Sequence, residues 1–150
     1  MTLAKAAKNW TDNSTLLGWY ISKSVAPNAV TSYRAGTGSD TAGAIYSFGT
    51  ASNSDRALGS LGSGTPGNFA YGVRLKNDTG IAQTNFRVTY TGEQWRNGGN
   101  ATQHKLAFSY RTTSSPITGS DVLNTATWIA VTALDFTGPI ATTTAAALDG

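Results

Sequence analysis

Cysteine is absent from the 150 residues, which removes disulfides, thiolate metal sites and cysteine nucleophiles together. Charge is scarce too: Asp, Glu, Lys and Arg make up 13% of the chain, against about a quarter in an average globular domain. One histidine, His104, and one glutamate, Glu93, leave acid-base chemistry few groups to draw on. No window approaches about eighteen apolar residues, and Met1 to Lys8 lacks the apolar stretch of an export signal, so neither a membrane span nor a targeting segment is expected. Leu, Ile, Val and Phe together reach only about 18%, a share that borders on disorder. Disorder also needs high net charge, and a net charge of +3 with fifteen aromatic side chains argues for a folded core.

What fills the gap is Ser, Thr, Asn, Gly and Ala, giving a neutral polar surface of the kind many secreted β-proteins carry. The length suits one domain, residues 1–150, and leaves no room for two ordinary ones. Eleven basic residues against eight acids is too slight an excess, in so sparsely charged a chain, to point to nucleic acid.

Strict alternation at Phe69, Tyr71, Val73 and Leu75, then Asn77-Asp78-Thr79-Gly80, then Phe86, Val88 and Tyr90, predicts a hairpin or close strand pair. The pattern returns at Leu106, Phe108 and Tyr110. Shorter strands are expected within 18–22, 29–34, 44–48 and 127–131, and the stretches 54–67 and 112–124 read as long connections. Apart from Thr2 to Lys8, nothing repeats at helical spacing, and Ala145-Ala146-Ala147 is too short to hold a helix alone. The expected class is all-β, an antiparallel β-sandwich of jelly-roll type, with a closed barrel as the alternative.

The inventory for chemistry is thin. His104 has no visible acid and serine partners for a triad, and Glu93 with Asp121 or Asp135 is the one carboxylate pair that a glycosidase reading could nominate. No catalytic residue is assigned, and the protein is not expected to be an enzyme. Without cysteine a transition-metal site is not expected, and no cofactor is assigned. Calcium is the cation the loops could take, at Asp12-Asn13, Asp40, Asn77-Asp78 or Asp149. The simpler reading gives these residues to turns, whose backbone their side chains bond. Gly36-Thr37-Gly38 and the cluster 59–67 open no helix and carry no Gly-Lys-Ser/Thr element, so nucleotide binding is excluded. Asn-X-Ser/Thr triplets start at Asn9, Asn13, Asn77 and Asn100, about what so much Ser and Thr produces by chance.

The aromatic residues admit two readings. Trp10, Trp19, Tyr20, Trp95 and Trp128 either fill the core or form a platform on which sugar rings stack. For polysaccharide binding the candidates are Trp19, Tyr20, Trp95 and Trp128, with Arg96 and Asn97 as polar partners. Strand parity adds a further expectation: were the alternating strands one sheet, Arg74, Lys76, Arg87, Lys105 and Arg111 would share its outer face as a basic stripe.

Three segments carry a family resemblance: 10–20 (Trp-Thr-Asp-Asn-Ser-Thr-Leu-Leu-Gly-Trp-Tyr), 90–100 (Tyr-Thr-Gly-Glu-Gln-Trp-Arg-Asn-Gly-Gly-Asn) and 133–136 (Ala-Leu-Asp-Phe). In these the chain resembles bacterial extracellular modules found in secreted or surface proteins with C-terminal sorting signals, or beside lamin-tail or nuclease-like domains. The resemblance implies export and a β-sandwich, and supplies no catalytic residue. It also implies that the family's last strands lie beyond the position matching Leu148-Asp149-Gly150. The function expected is a non-catalytic structural or adhesive module of the cell surface, meeting copies of itself or other surface proteins through strands or loops. A carbohydrate-binding module and an accessory domain of a secreted hydrolase or nuclease are the alternatives.

Overall fold

The computed structural model describes residues 6–150, apart from the side chain of residue 125. Its strands are, in chain order, β1 (Lys8–Asn9), β2 (Trp19–Lys23), β3 (Ser32–Gly36), β4 (Ala44–Phe48), β5 (Ala57–Leu61) and β6 (Phe69–Val73). Six shorter ones follow: β7 (Arg96–Asn97), β8 (Lys105–Leu106), β9 (Ser109–Tyr110), β10 (Ile129–Ala130), β11 (Phe136–Thr137) and β12 (Ala146–Ala147). One helix, α1 (Gly119–Leu123), interrupts them. The class is all-β, with 29% of residues in strands, and no sheet among the described residues closes into a barrel. Of the helical spacing expected over Thr2–Lys8, residues 2–5 lie outside the described residues, and Lys8 opens β1.

Two sheets meet through the main apolar cluster. The first has the order β1-β3-β4-β5; the second is the antiparallel pair β2-β6. Register places Tyr33, Ile45 and Ser60 side by side on one face of the first sheet, with Leu58 beside Ser47 on the same face. In the second, Trp19 pairs with Val73, Ile21 with Tyr71 and Lys23 with Phe69, so these six share a face. Ile21 and Ile45, each 1% exposed, pack with Trp10, and Trp19, Val30, Tyr33, Leu58, Phe69 and Tyr71 surround them. Burying side chains of this size contributes about 1.5–3 kcal/mol each.

Each sheet is also covered behind. On the far face of the first, Tyr46 and Phe48 stack at 5.0 Å, and Trp95 stacks on Phe48 at 6.1 Å with planes 3° apart. Gly36 and Gly59 admit these rings, since a Cβ on either would meet Tyr46 or Phe48 at 2.8–2.9 Å. Behind the second sheet, Tyr20 packs with Ile117 and Val122, flanked by Ala70 and Trp128.

Residues 96–147 form one long irregular hairpin. Asn97 pairs with Ala146, Leu106 with Phe136 and Tyr110 with Ile129, all antiparallel. The three ladders therefore run in nearly constant register, broken where the second arm carries extra residues, among them the 3-10 turn Thr132–Leu134.

Four expectations are corrected. Residues 84–90 form no strand: among the described residues β6 pairs with β2 alone, no ladder joins 84–90 to its other edge, and Phe86 stands 72% exposed. One pair, β3-β4, is parallel, so the arrangement is not wholly antiparallel. The supposed connection 54–67 holds β5, and 112–124 holds α1. α1 carries a readable signal at its start: the Asp121 carboxylate accepts from the Thr118 amide at 2.7 Å and hydroxyl at 2.8 Å, the reciprocal arm of a capping box.

Candidate functional site

The six candidate residues fall into three places. Trp19 packs against the main cluster between the sheets. Tyr20, on the opposite face of the same strand, is 7% exposed in the cluster behind the second sheet, where Trp128 flanks it. The Trp128 indole N–H donates to the Asp121 carbonyl at 3.1 Å, and the Arg111 guanidinium lies 5.6 Å above its ring. These three rings lie on two faces of one sheet and share no platform.

Trp95, Arg96 and Asn97 stay together, but each is engaged. The Trp95 indole N–H donates to Glu93 at 2.6 Å, and Gly150 lies against its ring. Arg96 donates to the Gly38 carbonyl at 3.0 Å. Asn97 is 1% exposed, and its amide nitrogen reaches the Thr142 carbonyl and hydroxyl at 3.0 and 2.7 Å and the Thr144 carbonyl at 2.7 Å. It ties the 142–144 turn to β7. Gly38, at φ +82°, lies so close to the Trp95 carbonyl that any side chain there would collide with it.

Trp95 lines a cleft of about 400 Å³, with Thr50, Asn53, Asp55, Arg56, Glu93 and Asp149. Each Arg56 nitrogen bonds the protein: Nε to Ser47 Oγ at 3.2 Å, Nη1 to the Thr50 carbonyl at 3.2 Å, and Nη2 to the Ser47 and Gly36 carbonyls. Three carboxylates, Asp55, Glu93 and Asp149, also line it, so the cleft is rich in acceptors. A neighbouring groove of about 290 Å³ shares Gly92, Asp149 and Gly150 and is lined by Phe136, Pro139, Ile140 and Leu148.

The remaining chemistry is dispersed. His104 is exposed, and Glu93 bonds Trp95, whereas Asp121 and Asp135 bond Arg111 and Lys105. Hydrogen bonds from the Thr118 hydroxyl and amide hold Asp121 below the usual carboxylate range, and Arg111 adds to this. Asp135 is held low by Lys105 at 2.7 Å and by the Phe108 amide. Burial pushes the Tyr71 phenol up. Several loop Asp and Asn side chains bond backbone: Asp12 accepts from the Ile21 amide, Asn13 from Gly18, Asn77 from Thr79 and Asn100 from Thr102. Among the described residues no three His, Asp or Glu side chains gather at metal-binding distance.

The basic stripe is not assembled. Arg74 and Lys76 lie past the end of β6, Arg87 lies in the strandless stretch, and Lys105 and Arg111 pair with acids. Arg74 instead lies 5.8 Å above the Tyr20 ring.

Two strands stand out for what they leave unused. Among the described residues β5 pairs only with β4, and β6 only with β2. Neither Ala-Leu-Gly-Ser-Leu nor Phe-Ala-Tyr-Gly-Val carries a charge or a proline, the features that ordinarily guard a free edge. After β6 the chain runs without a strand until β7, exposing Leu75 by 63%, Ile81 by 69% and Phe86 by 72%. Sequence reading missed the β5 edge because its glycine and serine made it look like a loop. No family model, no curated protein and no solved structure matches the chain. No helix among the described residues is long and apolar enough to cross a membrane.

Proposed function

We propose that this protein is a non-catalytic module of a bacterial cell surface that works by contact, a β-sandwich whose free strand edges pair with another chain. The observation that carries the reading is the pair of unguarded edges, β5 and β6, beside a strandless stretch with exposed Leu75, Ile81 and Phe86. An edge of this kind offers a row of backbone donors and acceptors, and strand addition is the direct way to use them. The two sheets that share the Ile21 and Ile45 cluster support the sandwich architecture, and the resemblance of segments 10–20 and 90–100 to extracellular modules supports the location. Sedimentation velocity across a hundredfold range of concentration, alone and with cell-envelope extract, tests the proposal. Concentration-dependent assembly or capture by an envelope component is expected; a monomer that captures nothing refutes it.

A second reading rests on a separate observation. Trp95 beside an acceptor-rich cleft suits a hydroxyl-rich ligand, since sugar hydroxyls donate to carboxylates. Titration with neutral and acidic oligosaccharides, followed by tryptophan fluorescence, is expected to show saturable change with neutral ones if this reading holds. Silence across both classes removes it.

A further inference from the structure

Resting on the contact reading above, we propose that the strand received by the free edge of β6 is residues 84–88 of a second copy of this chain. The chain supplies both the edge and a strand that fits it. β6 presents Phe69, Tyr71 and Val73 on its core face, and residues 84–88, Thr-Asn-Phe-Arg-Val, alternate with the same period. Set antiparallel with Thr84 beside Val73, Phe86 falls beside Tyr71 and Val88 beside Phe69, which continues the apolar face and leaves Arg87 on the other side. In its own chain this stretch has no ladder partner among the described residues.

Its flanks are bonded to other parts of the chain. On one side the Arg74 amide is bonded to the Gly18 carbonyl at 2.8 Å. On the other the Tyr90 ring stacks on Phe108 at 6.0 Å, and its hydroxyl donates to the Leu134 carbonyl. Between these anchors, Asn77 closes a turn of its own, accepting from Thr79 and donating to the Ile81 carbonyl at 2.8 Å. Residues 75–89 therefore leave as a looped arm, which at about 3.3 Å per residue reaches roughly 20–25 Å, far enough to lie along a neighbour's edge. Reciprocal exchange of arms closes a dimer, and one-way donation repeats into chains of copies.

The absence of native cysteine makes the test clean. Thr84→Cys and Val73→Cys are purified separately, one isotopically labelled, then mixed and oxidised. A disulfide-linked heterodimer between labelled and unlabelled copies is expected, because neither variant alone holds both positions. Phe86→Pro, which removes the amide facing the edge opposite Tyr71 and the apolar ring with it, is expected to weaken association at least about tenfold, the equivalent of one to two ladder hydrogen bonds. Unchanged circular dichroism and thermal midpoint will show that it still folds. The inference is overturned if the mixture gives no heterodimer, whether or not the double variant Thr84→Cys/Val73→Cys closes on itself. Assembly without that cross-link overturns this strand assignment and leaves the contact reading standing; a strict monomer removes both.

Discussion

Replacing Asn97 by alanine separates a structural role from a ligand-binding one. Its amide nitrogen has two hydrogens and faces three acceptors on 142–144, so two bonds form in full and the third is shared. Each such bond contributes about 1 kcal/mol net. The side chain is 1% exposed, so truncation adds the loss of its packing and leaves acceptors with less access to water. The expected cost is about 2–3 kcal/mol, a large part of the about 5–15 kcal/mol that holds a typical domain folded. Urea unfolding followed by circular dichroism measures it, with the midpoint falling and the slope unchanged. Asn97→Asp tests the same geometry from the other direction: it places acceptor against acceptor and is expected to cost more than alanine. A loss below about 0.5 kcal/mol for Asn97→Ala would refute the reasoning, since that is the range of ordinary surface changes.

Ile45→Ala opens a cavity between the sheets and is expected to cost about 2–5 kcal/mol by the same urea measurement. Gly38→Ala forces a side chain into left-handed backbone against the Trp95 carbonyl; it is expected to move Trp95 off Phe48, seen as a red-shifted, more quenchable fluorescence. Asp135 is depressed by Lys105 and the Phe108 amide, so its bonds are fully present above the ordinary carboxylate range and are lost as pH falls through the lowered folded value. Amide exchange at 105–108 and 135–137 is therefore expected to quicken below about pH 4 before the β4 amides do, and Asp135→Asn to flatten that dependence.

Much of the first half was legible. Period-two apolar spacing placed β4 correctly and located β2 and β6 to within two residues, because each buries one face on a packed neighbour. The same rule failed at Phe86 and Val88, where alternation exists but no ladder forms; period reports a capacity to pair, not that a partner edge has been taken up. It failed in the opposite sense at β5, whose Gly59 is there to admit the Phe48 ring. Tertiary packing dictated that residue, and local propensity could not show it. At the candidate site, adjacency of Trp95, Arg96 and Asn97 was visible from the start. The separation of Trp19 from Tyr20 by one strand's two faces followed from parity too, but which layer covered each face needed β4, α1 and Trp128 in place.

The nested hairpin has a consequence for the order in which the molecule assembles. β4 and β5 meet across the short connection 49–56, whereas Asn97 waits for Ala146. Closing the longer loop costs more chain entropy and is rewarded by ladders only two residues long. The outer arms should therefore dock late on a preformed two-sheet centre and come away early under load. Pulled along its chain, the molecule would yield there first, in short separate steps, while the Ile21 and Ile45 cluster stayed shut.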